Sequence, residues 1–254
     1  MIMDRTLSGL TAVVTGGNNG IGKAMAMGLA KAGANVAIWA RNTERSAAVV
    51  AELEAEGVRA TAVACDVADE PSVAAAMDRT VDELGPLGCF IANAGIAEAA
   101  PLTEMSLETW RRVLRTNLDG GFLCTREAAR RFVAQGSGGS IIVVSSTISR
   151  YGAAGQAAYS TSKTGLLGLG RTLAVELARH RVRCNILIPG WTRTSMNLDL
   201  QADERFVKAT TARTPARRWA DPEEFHEVTT FLANPALTYH TGNEVVVDGG
   251  YTVF

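Results

Sequence analysis

The stretch TAVVTGGNNGIG, Thr11 to Gly22, decides the fold. Its first five residues form a short apolar, β-branched run, the pattern of a buried strand. Gly16, Gly20 and Gly22 then permit a tight turn and let backbone approach a phosphate closely. The residues from Gly20 to Ala32 read as a helix, whose first amides and positive dipole end face that turn. Asn18, Asn19 and Ile21 lie within the same turn and share the reading as an anion cradle. The spacing is GxxxGxG rather than the tighter GxGxxG, so the strand-turn-helix context carries the inference.

Working outward, short apolar runs alternate with helical segments. Strands are predicted at Thr11 to Thr15, Asn35 to Trp39, Arg59 to Cys65, Cys89 to Ala92, Ser140 to Ser145, Val182 to Ile188 and Glu244 to Val247. Helices are predicted at Thr43 to Glu56, Pro71 to Leu84, Ser106 to Gln135, Ala157 to Arg179, Asp199 to Thr211 and Pro222 to Ala233. Strands buried on both faces and separated by helices argue for a parallel sheet covered on both sides. Right-handed crossovers make it a doubly wound α/β sheet of seven strands. With no linker or repeat, residues 1–254 read as one domain. The irregular segment from Gly190 to Arg218 follows a strand end and suits a substrate lid, or else a plain surface excursion.

Bulk composition excludes several functions. The chain has 254 residues, 47% of them hydrophobic, and a net charge of -1, so it lacks the basic footprint expected for nucleic acid or a charged membrane surface. Cys65, Cys89, Cys124 and Cys184 form no CxxC pair and read as buried free thiols. His180, His226 and His240 are too scattered for a metal site, and none is expected. No apolar run reaches membrane-span length and the short charged start resembles no signal segment. A cytoplasmic protein is expected.

Chemistry-bearing residues sit at the strand ends. Asp66 and Val67 follow the third strand, where Asp66 can accept from an adenine amine or serve as a turn aspartate. Asn93, Ala94 and Gly95 follow the fourth, as a ligand-facing turn or a turn of turn-prone residues. The second strand ends in Trp39-Ala40-Arg41-Asn42. It lacks the acidic residue that would bind a ribose 2′-hydroxyl, and Arg41 suits a 2′-phosphate. This favours NADP over NAD, a solvated arginine being the alternative. Tyr159 and Lys163 stand four apart in a predicted helix and share a face. A cation about 4 Å from a phenol, at an effective dielectric near 20, is worth roughly 4 kcal/mol, which predicts a phenol pKa about 3 units lower. Ser146 ends the fifth strand at the same sheet edge as the glycine turn. Asn117 lies inside the longest predicted helix, where Asn is a poor residue that a local kink or a bound water would explain, a plain exposed Asn being the alternative.

Taken together, TGGNNGIG, the Asp66 turn, NAG at Asn93 to Gly95, Asn117, Ser146, Tyr159, Lys163, Pro189-Gly190 and VDGG at Val247 to Gly250 resemble the short-chain dehydrogenase/reductase family over nearly the whole chain. The family often has a second Asn where this chain has Ala92. The resemblance implies a single-domain Rossmann fold. It also implies an NAD(P)-dependent oxidoreductase that moves a hydride reversibly between nicotinamide C4 and a ketone or secondary alcohol. In that scheme Tyr159 is the general acid/base, and Lys163 lowers its pKa and holds the nicotinamide ribose. Ser146 orients the substrate oxygen, and Asn117 anchors a water leading to Lys163. Pro189 and Gly190 border the nicotinamide, and Thr192 or Thr194 contacts its amide or the diphosphate.

The resemblance extends equally to 3-oxoacyl-carrier-protein reductases, which are ketoreductases, and to sugar-acid and polyol dehydrogenases. An NAD-linked sugar or polyol dehydrogenase working oxidatively is the rival enzyme. A nucleotide-sensing binding protein, or an epimerase or dehydratase on the same fold, is the rival of another class. Trp191, Met196, Ile148 and Tyr151 are expected to line a small-molecule pocket, with Arg150 and Arg193 either attracting a carboxylate or simply solvated. Gly165, Gly168 and Gly170 in one helix predict either a subunit contact or close packing within the chain. The family resemblance favours a homotetramer, with Tyr251 to Phe254 near an interface.

Overall fold

A computed structural model describes residues 6–254. Part of the charged N-terminal start, residues 1–5, lies outside the described residues. Strand β1 (Thr11–Thr15), helix α1 (Gly20–Lys31), β2 (Asn35–Ala40), α2 (Thr43–Glu54), β3 (Ala60–Ala64), α3 (Glu70–Leu84) and β4 (Leu87–Ala92) make the first half. The second half holds α4 (Leu107–Leu114), α5 (Gly120–Gln135), β5 (Gly139–Val144), α6 (Ala157–Leu177) and β6 (Val182–Pro189). It ends with α7 (Leu198–Ala202), α8 (Glu204–Arg213), α9 (His226–Ala233) and β7 (Glu244–Val247).

The seven strands form one parallel sheet in the order β3-β2-β1-β4-β5-β6-β7. The order reverses between β1 and β4, and ligands bind in the crevice beyond the carboxyl ends of strands at such a point. Alternate strand residues face opposite sides. Val13 and Phe90 therefore join a core with α3, α5 and α6, while Ala12, Val14, Cys89 and Ile91 join one with α1, α2 and α9. Trp39 anchors the first core, edge-on to Phe90 at 5.4 Å, with its indole N–H donating to the Thr80 hydroxyl at 2.9 Å. Asn19, Asn42, Asp69 and Ser106 cap α1 to α4 through their side chains. The four cysteines are free and buried.

Two predicted helices are broken for identifiable reasons. The helix expected from Ser106 to Gln135 is interrupted by a π-turn over Arg115–Asp119, between α4 and α5. The extra residue turns Asn117 inward, where it is 1% exposed. Its Oδ1 accepts from Ile96 N at 2.8 Å, and its Nδ2 donates to Ile96 O at 2.9 Å and Ser162 Oγ at 3.0 Å. The helix expected from Asp199 to Thr211 splits into α7 and α8, because Asp203 accepts from Arg205 N and Phe206 N and starts a new helix. Two of the three α6 glycines are explained within the chain. A Cβ on Gly165 would stand 2.9 Å from Leu118, and one on Gly170 would stand 2.5 Å from Ile186, whereas Gly168 faces open space.

Candidate active site

The glycine turn is fastened to the β4 turn. The Thr15 hydroxyl accepts from Asn93 N at 2.9 Å and Ala94 N at 3.0 Å, and Asn93 Nδ2 donates to Thr15 O at 2.9 Å. Gly16 has φ +65, and a Cβ on Gly22 would stand 2.3 Å from Gly16 O. Side chains are thus excluded, and a phosphate-bearing ligand can approach main-chain amides at the N-terminus of α1, whose first turn carries no acidic residue. The donor set and the steric cradle fit an anionic dinucleotide. Asn18 has a structural engagement: its Nδ2 donates to Asn42 O at 3.2 Å and Ser46 Oγ at 3.0 Å, tying the turn to the end of β2. Asn19 accepts from Gly20 N at 2.9 Å and also bonds Ser195. Ile21 packs partly buried against the α1-side core.

Arg41 projects from the end of β2, exposed and without an ion-pair partner among the described residues. Asp66 is exposed and uses Oδ1 to accept from Ala68 N at 3.0 Å, the turn role left open by sequence. Val67 is buried against Gly120, where a Cβ would come within 2.9 Å of it. Gly95 sits where a Cβ would meet Asn117 Oδ1 at 3.2 Å and Lys163 Nζ at 3.5 Å, so this glycine joins the β4 turn to α6. Pro189 ends β6, and a Cβ on Gly190 would clash with Asp248 at 2.6 Å. The Thr192 hydroxyl donates to Gly190 O at 3.1 Å. Thr194 caps a short turn over Ser195–Asn197 and lies over Gly20. The segment after β6 therefore closes over the glycine turn. A cavity of about 580 Å³ between it and α1 is bordered by Asn19, Thr194 and His226, but not by Tyr159.

Ser146, Tyr159 and Lys163 converge at the carboxyl edge of β5. The Ser146 hydroxyl stands close enough to the half-buried Tyr159 phenol to favour its ionised form. Lys163 is 4% exposed, and its Nζ lies 5.7 Å from the Tyr159 ring centre and donates to Val144 O at 2.9 Å. Ser145 donates to Lys163 O at 2.8 Å and pins that turn of α6 to β5. The expected drop in the Tyr159 pKa is not found. Desolvation pushes the phenol up, opposed by the Ser146 hydroxyl, while the ammonium donates to the strand carbonyl of Val144. Burial instead lowers the Lys163 amine to about 8. Asn117 spends its side chain on Ile96 and Ser162, so any water it anchors toward Lys163 falls to its backbone.

Of the expected pocket residues, Trp191 and Tyr151 share the Tyr251 ring. Trp191 stacks on Trp219 at 5.1 Å and meets Phe206 and Tyr251 edge-on. Tyr151 packs on Tyr251 at 5.5 Å. Ile148 is buried, and Met196 is 55% exposed on the closing segment. Arg150 pairs with Glu244 and Arg193 pairs with Asp221 at 3.1 Å, so both are already neutralised. Sequence reasoning missed Thr15, Ser162 and Trp219. The hydroxyls are ordinary in sequence. Trp219 comes from a loop whose direction the sequence pattern does not reveal.

The family profile described as enoyl-(acyl carrier protein) reductase matches residues 16–252. The cis-4-hydroxycyclohexanecarboxylate dehydrogenase of Sinomonas cyclohexanicum is 44% identical over 242 residues, covering 95% of this chain and 96% of that protein. The 3-oxoacyl-[acyl-carrier-protein] reductase of Synechocystis sp. is 38% identical over 252 residues, covering 98% and 99%. A crystal structure of a gluconate 5-dehydrogenase from Burkholderia cenocepacia J2315, in complex with NADP and tartrate, is similar with a TM-score of 0.94 at 34% identity, covering 100% of each chain. A glycine cradle at the β1/β4 reversal, a tyrosine beside a serine hydroxyl and a buried lysine one helical turn on thus accompany full-length similarity, and the chain belongs to the short-chain dehydrogenase/reductase family of NAD(P)-dependent oxidoreductases.

Proposed function

We propose that this protein interconverts a ketone and a secondary alcohol on a small molecule, with Tyr159 as general acid/base. The observation that carries the reading is the convergence of Ser146, Tyr159 and Lys163 at the strand edge that also bears the glycine cradle. A nicotinamide dinucleotide, when bound, supplies or accepts the hydride. Gly16, Gly20, Gly22 and the amides opening α1 would hold its phosphates, and Asn93, Ala94, Gly95, Pro189 and Gly190 its nicotinamide half. Asp66 and Val67 would border the adenine, and Thr192 and Thr194 would close from the lid, residues 190–218 of a single domain. The Ser146 hydroxyl fixes the substrate oxygen beside the phenol. Tyr159 gives that oxygen a proton in reduction and takes one in oxidation. Lys163 keeps a positive charge near the phenol and positions the ribose. A panel of ketones and secondary alcohols, read at the reduced-nicotinamide absorbance with each cofactor, tests the reading; no turnover of any member rejects it.

NADP is the preferred cofactor in this reading. Arg41 stands unpaired beside the turn that Asn18 ties to Asn42, and the gluconate 5-dehydrogenase structure binds NADP. Arg41→Ala is expected to raise KM for NADPH about 10-fold, the loss of one charge-assisted contact, and to leave KM for NADH unchanged. Equal effects on both would assign Arg41 to the solvent.

The protein works as a homotetramer in the cytoplasm. Support comes from exposed apolar side chains on α4, α5 and α6, namely Leu107, Phe122, Val133 and Val175, the last 79% exposed. The free buried thiols fit a reducing compartment, and among the described residues no helix is long and apolar enough to cross a membrane. Sedimentation should give about four times the 26.8 kDa chain mass, and a species of one chain mass alone excludes the assembly.

A further inference from the structure

Of the cations around the cleft, Arg213 has no carboxylate partner among the described residues. Arg150 is neutralised by Glu244, Arg193 by Asp221 and Arg218 by Glu224. Lys163 is buried on the Val144 carbonyl. Arg213, the exposed last residue of α8, lies instead on aromatic faces. Its guanidinium carbon is 4.3 Å from the Tyr251 ring centre and 5.3 Å from that of Tyr151, and Nη1 donates to the Tyr251 hydroxyl at 3.4 Å.

Tyr151 and Tyr251 follow the carboxyl ends of β5 and β7, the sheet edge that also bears Ser146, and their rings meet at 5.5 Å, which places Arg213 over that edge. Trp191, which follows the Pro189-Gly190 turn, continues the wall through its edge contact with Tyr251. A ligand whose oxygen sits at Ser146 and Tyr159 would lie on the same sheet edge as these rings and the unpaired guanidinium. Stacking on the rings holds the planar donors in place while leaving donor N–H groups free, the geometry that a carboxylate accepts in pairs.

Building on the oxidoreductase reading, the geometry points to Arg213 as the residue that selects a carboxylic acid substrate, with an apolar ring or chain between the carboxylate and the reacting carbon. The half-exposed Tyr151 and Trp191, both packed on buried Tyr251, suit a carbocyclic or alkyl body better than a polyhydroxylated one, which would lose water without regaining hydrogen bonds.

Calorimetric titration in the presence of NADP⁺ tests the assignment with two non-reacting probes, cyclohexanecarboxylate and cyclohexanecarboxamide. Wild type should bind the acid at least about 10-fold more tightly than the amide. Arg213→Ala should weaken acid binding about 10- to 100-fold, the worth of a charge-assisted pair, and leave the amide unchanged. Arg213→Lys, which keeps the charge but not the planar donors, should retain part of the preference. A wild type that does not prefer the acid, or an Arg213→Ala protein that still does, overturns the proposal. A purely structural role would move both probes together and overturns it too. Neither probe turns over, so the oxidoreductase reading stands or falls separately, on the ketone and alcohol panel.

Discussion

Tyr159→Phe is expected to lower kcat by at least about 10²- to 10⁴-fold, the range that positioned proton transfer supplies, with cofactor affinity unchanged. The ring and its packing survive, and only the hydroxyl beside Ser146 is lost. Direction also matters. Desolvation raises the phenol pKa, so at neutral pH the group is protonated and ready to act as an acid. Reduction should therefore be efficient at neutral pH and fall in alkali, while oxidation, which needs the phenolate, should rise with pH. Rate profiles in both directions, together with cofactor titration by fluorescence quenching, check this. A Phe variant that keeps full turnover, or an oxidation rate flat from neutral to alkaline pH, removes Tyr159 from the chemistry.

Lys163→Met should separate stability from activity. The ordinary lysine value of 10.5 falls to about 8 in the cofactor-free fold. Above 10.5 the amine is neutral in both folded and unfolded chains, and below about 8 it is charged in both. Between these limits the unfolded chain holds a proton that the folded one has lost, so stability rises with pH across that window. At pH 7 the buried charge costs about 3 kcal/mol relative to a neutral group. The lost bond to the Val144 carbonyl costs about 1 kcal/mol, leaving a net gain of about 2 kcal/mol for the Met variant, or roughly 4–8 °C in Tm. Turnover should fall by at least about 100-fold, because Lys163 no longer positions the ribose and with it the reacting carbon. Thermal melts of both proteins at pH 7 and pH 10 are the check. Wild type should gain stability relative to the variant at the higher pH, and parallel behaviour would show that the amine carries no such penalty.

Such a penalty is the signature of a functional group held against the interest of the fold. The same tension is visible at Asn117. A mid-helix asparagine is locally unfavourable, and the chain accommodates it with a π-turn that aims its amide at the Ile96 backbone. Because Ile96 follows Gly95 directly, this bond sets the β4 turn that faces Lys163.

All seven strands and the glycine cradle were legible in the sequence, with strand ends displaced by no more than two residues. Their signals are local: apolar β-branched runs, positive-φ glycines and capping side chains act over a few residues and mean the same in any context. The order of Ser146, Tyr159 and Lys163 was legible for the same reason, since a strand end and one helical turn fix their spacing. Tertiary structure alone decided where the Lys163 ammonium points, because four methylenes can reach either the phenol or a strand carbonyl, and only packed β5 offers the latter. It alone paired Arg150 and Arg193 with Glu244 and Asp221 and left Arg213 free on two tyrosines, since those partners stand 94, 28 and 38 residues away for Arg150, Arg193 and Arg213, respectively. Which charges cancel and which remain for a ligand depends on distances across the folded chain, and no local pattern encodes them.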